Sequence, residues 1–193
     1  MKMATIAVEF LRKPLAYDGT QIGPLWAYRT FGRQGDSLVA FIGRCAIPAK
    51  HMIDQDDVRR GARIASPRML HFIAEHFDAP PDLEKAVLRQ RVFAALVLDE
   101  LRARVDSPIR REGDDLFTLK EEKLSISVAA ATPVSTKFHF GINVVRATRV
   151  GVKTAGLRDL GIEPGPFAEA LLESYRREME GVLDARTRAR GAL

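Results

Sequence analysis

Lys123, Ser125 and Ser127 alternate with Leu124, Ile126 and Val128 in the run GDDLFTLKEEKLSISVA, residues 113–129. Successive side chains of an extended chain point to opposite faces, so a period of two puts the lysine and both serines on one side and the aliphatics on the other. The run KFHFGINVV, residues 137–145, repeats the pattern. There Phe138, Phe140, Ile142 and Val144 form the apolar set, and His139, Gly141 and Asn143 the other. Paired, the two strands would offer one hydrophobic face and one face carrying an ammonium, an imidazole, an amide, two hydroxyls and a glycine gap. The ordinary reading is the solvated face of an antiparallel sheet. Such faces usually carry long charged side chains and threonines, whereas this one is small and polar with a single cation, and an in-strand glycine often marks close approach by a ligand. The expectation is a concave face that meets a ligand beside a single cation.

A second constellation lies in HFIAEH, residues 71–76. Read as a helix, His71 and His76 are five positions apart, about 140° around the axis, so they diverge and no zinc pair is expected. His71 and Glu75 share a face, and His51 and Asp54 lie upstream in a polar loop. These four are secondary candidates for a metal or acid/base site, against the commoner role of hydrogen-bonded core neighbours. No glycine-rich phosphate loop, serine elbow or Cys/His metal cluster is present, and no cofactor is identified.

The elements that must position these residues follow from pattern and punctuation. Strands are expected over 2–10, 25–31 and 37–43, near 109–118, and over 123–131 and 137–146. Ser66-Pro67 reads as an N-cap with proline at the first helical position, opening a helix over RMLHFIAEHF. Pro80-Pro81 ends it, and Asp82 caps a helix whose face carries Val87, Leu88, Val92, Phe93, Leu96, Val97 and Leu101. A last helix starts near Pro166 with Phe167, Leu171, Leu172, Tyr175, Met179, Val182 and Leu183 at helical spacing. Short links between neighbouring strands favour an α+β fold, an antiparallel sheet with helices packed on one face. The 193 residues suit a single domain.

A 46% hydrophobic and 28% charged composition is that of an ordinary globular chain. No apolar run nears the roughly 20 residues that span a bilayer, so no membrane partner is expected. MKMATIAVEFLRK lacks a cleavage site and reads as a first strand. One cysteine, Cys45, excludes an internal disulfide and suggests a reducing, cytoplasmic setting. Cys45 itself reads as a small core residue. The net charge is +5, with Arg176, Arg177, Arg186, Arg188 and Arg190 near the C-terminus. They suggest a non-catalytic, RNA-binding module as the alternative reading, but no aromatic platform accompanies them, and a solvated helix end is favoured. A homodimer is compatible with the sequence, which does not specify it.

DDLF, KLSIS and FGINV, in that order, resemble the run of biotin protein ligases and of the octanoyltransferases of lipoyl synthesis. The resemblance covers about residues 110–146 and implies the class II aminoacyl-tRNA synthetase and biotin/lipoate ligase fold. It implies that Lys123 is the catalytic lysine, contacting a carboxylate or acyl-phosphate and stabilising negative charge as an acyl group transfers, with Asp115 and Asn143 matching motif positions beside it. Ser125, Ser127, His139 and Gly141 are ligand-binding candidates from the alternation, and the ligand expected is a small carboxylate, acyl or nucleotide group. The departures are specific. FIGRCAIPAKHMIDQDD and RRGARIASPR stand where ligases carry the glycine- and arginine-rich adenylate loop, so no ATP site follows. Leu160 stands where the transferases carry their cysteine, which excludes acyl transfer by a cysteine–lysine pair in that geometry. YDGTQIG, HMIDQDD, MLHFIAEHFD and HFGINV together resemble a family catalogued as a domain of unknown function, number three hundred and sixty-six, associated with the same fold.

Overall fold

The computed structural model describes residues 6–148 and 150–189. Seven strands run in chain order: β1 (Ala7–Leu11), β2 (Ser37–Ala46), β3 (Ala65–His76), β4 (Ile109–Glu112), β5 (Asp115–Thr118), β6 (Ser125–Ala131) and β7 (Thr136–Asn143). Five of them form one sheet in the order β1-β2-β3-β7-β6, and β4 and β5 form a separate hairpin. Every pairing is antiparallel except β1 with β2, so the architecture is α+β with a mixed, mostly antiparallel sheet. The helices are α1 (Trp26–Phe31), α2 (Gln55–Arg59), α3 (Leu83–Arg102) and α4 (Pro164–Arg188). Among the described residues, no helix is long and apolar enough to cross a membrane.

The two long helices cover one sheet face. Asp82 caps α3 by accepting from the Lys85 amide at 3.1 Å, which satisfies one of the donors a helix start leaves free. The apolar stripe then buries Phe93, Val97 and Leu101 against Leu70, Phe72, Phe138 and Phe140. Helix α4 begins with proline in its first turn and contributes Phe167, Leu171 and Tyr175 to the same core. Each such side chain contributes about 1.5–3 kcal/mol on burial, so this layer holds the sheet rigid.

Three expectations fail. RMLHFIAEHF is not a helix but most of β3, the central strand. Its odd positions Met69, His71, Ile73 and Glu75 face one way and Leu70, Phe72, Ala74 and His76 the other, and all eight are buried. A strand covered on both faces reads as a continuous apolar run, which periodicity cannot separate from a helix. His71 and His76 diverge because strand alternation puts them on opposite faces, not because of helical geometry. Residues 26–31 form helix, not strand; Gly32 closes it in the left-handed region at φ 68° with its amide on Ala27 and Tyr28 carbonyls. Strand 2–10 is realised as Ala7–Leu11, its first part lying outside the described residues.

The third failure concerns β6. Its register opposes Ser127 to Phe140 and Ile126 to Gly141. Phe138, Phe140 and Ile142 face the helices as expected, but on β6 it is the serines that turn that way. Ser127 Oγ accepts from Gln90 Nε2 of α3 at 2.7 Å and donates to Asp114 at 2.6 Å, and Ser125 Oγ accepts the Leu116 amide at 2.9 Å. Partnered hydroxyls tolerate burial, so the polar set of an edge strand need not face solvent. Leu124 joins the main core, while Ile126 packs in the smaller cluster on the far side.

Candidate functional site

The face opposite the long helices is built in rows set by the register. One row holds Phe41, His71, Gly141 and Ile126; the next holds Val39, Ile73, His139 and Val128. The segment from Leu15 to Trp26 lies over β2 and β3 and reaches the near side of β7 through Tyr17 and Gly23. The Leu15 and Tyr17 amides donate to Ile42 and Arg44 carbonyls at 3.1 and 2.9 Å, and the Ala46 amide donates back to Tyr17 at 3.0 Å. The approach is close enough that a Cβ on Gly43 would lie 1.8 Å from the Leu15 carbonyl oxygen. Glycine is required there because another backbone occupies the space.

A buried charge pair latches the end of this strap. Lys137 Nζ donates to Glu75 at 3.2 Å and to the Gly23 carbonyl at 2.8 Å. Glu75 also accepts from the Leu25 amide and the Ser135 hydroxyl, both at 2.7 Å. Burial pulls the Lys137 pKa down, with Glu75 opposing. Leu25 sits in the left-handed region at φ 61°, a conformation costly for a branched side chain and held here by the Glu75 bond. His71 lies beneath the strap between Phe41 and Tyr17, ring centres 4.9 and 5.1 Å away. Its Nδ1 is 3.1 Å from His139 Nε2, so one of two neutral rings donates to the other. Burial holds the His71 pKa down to about 3, with a Gly43 backbone bond opposing, and burial together with the His71 charge holds that of His139 well below the usual range.

Over the β7–β6 half there is a cavity of about 460 Å³. That is the size of a pocket for a drug-sized ligand. Its sheet wall is Ile126, Val128, His139, Asn143 and Met69; Tyr17, stacked on His139 with ring centres 3.9 Å apart, closes one side. The loop over 47–65 brings His51, Asp54, Asp57, Arg60 and Arg63 to the opposite wall, and Val150, Val152 and Thr154 border a third. Arg60 and Arg63 add two cations to the lining from outside the two strands.

Lys123 stands at the cavity edge. Its amide donates to the Lys153 carbonyl at 2.8 Å and its carbonyl accepts from Ala155 at 3.1 Å, so its backbone is fixed from the flank. Its ammonium is 2.7 Å from Asp115, and both side chains are about one-quarter to one-third exposed, at 26% and 30%. Burial raises the Asp115 pKa; Lys123 opposes that shift, and Asp114 and Asp57 add to it. The pair is therefore an ion pair whose acid is the reluctant member. Asn143 is buried, its Nδ2 reaching toward the Lys123 carbonyl at 3.5 Å and its Oδ1 without a partner. An orphaned buried acceptor costs about 1–3 kcal/mol unless something supplies a donor.

The residues singled out from sequence divide cleanly. Lys123, Asp115, His139 and Asn143 border the cavity, as do His51 and Asp54, while Ser125 and Ser127 lie along the same wall with their hydroxyls turned away to Leu116, Gln90 and Asp114. Gly141 is beneath it: a Cβ there would lie 2.4 Å from Met69 Sδ, so its gap is filled by Met69 and not by open space. Asp54 is engaged as the N-cap of α2, accepting from the Asp56 and Asp57 amides at 2.8 and 3.3 Å. His51 Nδ1 is 2.9 Å from the Asp18 carbonyl, which can only accept, so that nitrogen carries the proton. His71 and Glu75 do not join them: both lie under the strap, and the four secondary candidates form no common site. Tyr17, Met69 and Lys137 escaped the sequence reading because a tyrosine in a loop, a methionine in an apolar run and a lysine at a strand start carry no local signal of a shared face.

The basic helix end is partly compensated. Arg176 pairs with Glu173 and Glu180 at 2.5 and 2.6 Å, and Arg188 with Asp184 at 2.9 Å. Arg190 lies outside the described residues.

A protein of unknown function from Pyrococcus horikoshi has the same fold at TM-score 0.93, 34% identity, covering 98% of this chain and 100% of its own. An uncharacterised protein of Methanocaldococcus jannaschii is 38% identical over 162 residues, 82% of this chain and 72% of its own length. A putative lipoate protein ligase from Thermoplasma acidophilum with bound lipoic acid aligns at TM-score 0.58 and 15% identity, covering 92% of this chain and 87% of its own. A biotin protein ligase mutant from Aquifex aeolicus in complex with biotin aligns at TM-score 0.58 and 12% identity, over 90% and 70%. At these identities the ligases share the fold alone. Residues 6–190 match the family described as domain of unknown function DUF366, and the chain belongs to that family.

Proposed function

We propose that the protein binds a small carboxylate or acyl ligand, free or nucleotide-linked, in the cavity beside Lys123. The observation that carries this reading is one ammonium at the cavity edge, fixed through its backbone and paired with an acid that burial disfavours as an anion. An incoming carboxylate can take the place of Asp115 on Lys123 while Asp115 takes up a proton. Asn143 Oδ1 adds a buried acceptor that a ligand N–H or O–H would satisfy. The fold relatives crystallised with lipoic acid and with biotin hold small carboxylic acids, which supports the ligand class. Transfer of the bound group would use the same ammonium to stabilise developing negative charge.

Thermal unfolding with lipoate, biotin, ATP and acyl-adenylate analogues tests the reading. A ligand at a hundred times its Kd stabilises the folded state by about 2.7 kcal/mol and raises the melting temperature. For any carboxylate that binds, Lys123→Ala should weaken binding by about 1.5–3 kcal/mol, roughly tenfold to a hundredfold. Lys153→Ala, on the neighbouring strand-like segment, should leave affinity unchanged. Equal affinity of the wild type and Lys123→Ala would remove Lys123 from the site.

A further inference from the structure

We infer that Met69, backed by Tyr17, is a stopper that limits the length of the apolar part of the ligand. The inference rests on the carboxylate reading above and deepens it. The register places Met69 opposite Asn143, and the Asn143 amide donates to the carbonyl of Leu124, the residue after Lys123. Met69 and the anion-binding end thus lie in one row across the sheet, two strand spacings apart, about 10 Å. A chain leaving Lys123 along that row crosses Asn143 and meets the methionine.

Met69 is 2% exposed, borders the cavity, and has its sulfur seated in the hollow that Gly141 leaves. A methionine filling a glycine gap is held on the strand side but keeps a flexible thioether end. Tyr17 is the rigid part of the wall: its backbone bonds to β2 through both its amide and its carbonyl, and its ring lies flat on His139. Behind the wall lies no solvent. Beyond Met69 the row reaches Gly43, over which the Leu15 carbonyl lies, with Phe41, Cys45 and Ile73 buried in the same cluster. Shortening Met69 therefore extends the cavity by the volume its own side chain vacates, room for a somewhat longer hydrocarbon chain. Shortening a residue that merely fills a core would lower stability without changing which ligand fits.

The test uses linear saturated fatty acids from butanoate to dodecanoate as probes, with affinities measured by calorimetry on the full chain. Wild type should favour chains on the order of six to eight carbons and lose at least tenfold in affinity for dodecanoate, given the roughly 10 Å run. Met69→Ala should move the optimum longer by about two carbons, in line with the three side-chain heavy atoms removed. Met69→Val, whose branched side chain suits a strand, should move it by about one and serves if the alanine variant does not fold. Equal affinity for all lengths in the wild type, or an unchanged optimum in the folded Met69 variants, overturns the stopper while leaving the ligand reading intact. Failure of every fatty acid to bind, or binding indifferent to Lys123→Ala, overturns the carboxylate reading and the stopper with it.

Discussion

The two halves of one sheet face meet opposite fates. Over β2 and β3 the chain covers itself: Leu15, Tyr17 and Trp26 pack around Phe41, His71 and Ile73, and the segment is latched by Glu75 of β3 and Lys137 at the start of β7. Over β7 and β6 the same face, with the same alternation of small, polar and apolar side chains, borders a cavity of about 460 Å³. The covered half holds a fully buried charge pair, but Ser37 Oγ and His71 Nε2 are without partners there. The open half keeps an orphan acceptor on Asn143 and an acid of raised pKa on Asp115. Composition along the strands does not distinguish them. Neither does completeness of partnering; what distinguishes them is what lies over the face, a segment of the chain on one half and a cavity with a partly exposed ion pair on the other.

The largest expected effect comes from the covered half. Lys137→Met strips Glu75 of its counter-charge in a site with no water access and should destabilise by about 3–5 kcal/mol, read as a shift in the urea midpoint. A loss below about 1 kcal/mol, the size of a surface pair, would mean the latch is not what holds the strap.

A smaller effect separates the halves by pH. His71 is held neutral by burial, with a pKa of about 3, against about 6.5 in the unfolded chain. The unfolded state therefore binds the proton first. Stability is full above pH 6.5 and falls as pH drops toward 3, by about 2.5 kcal/mol from His71 alone at pH 4.5. His139 acts in the same direction. Urea titrations across pH 4.5–7.5 should show this slope, and His71→Phe should flatten part of it. A wild-type slope unaltered in that variant would assign the acid sensitivity elsewhere.

The smallest stability effect belongs to the open half. Lys123→Ala removes one member of a partly exposed pair and should cost no more than about 1 kcal/mol, while its effect on carboxylate affinity is the larger one given above. A Lys123→Ala protein destabilised as badly as Lys137→Met, with ligand affinity intact, would erase the contrast between the halves and make Lys123 scaffold.

Much of this was legible in the chain. Asp82 and the stripe through Phe93, Val97 and Leu101 announced α3, and the period of two in KFHFGINVV announced β7 with its phenylalanines inward. The motifs around Lys123 and Asn143 pointed to residues that do border one cavity. β3 was misread because double-sided burial erases alternation. The faces of β6 were inverted because Gln90 and Asp114, distant in sequence, satisfy Ser127.

What the sequence determined by itself are the local facts: alternation, helix caps, the order of three short motifs, and family membership. Those depend on neighbours a few residues apart, where sterics and backbone bonding act directly. Which half of the face stays open was decided only in three dimensions. It turns on bonds such as Leu25 to Glu75, 50 residues apart, and Lys137 to Gly23, 114 apart. Nothing in the local pattern of a strand records which distant segment will lie down on it, because that choice is made by the summed packing and pairing of the whole chain.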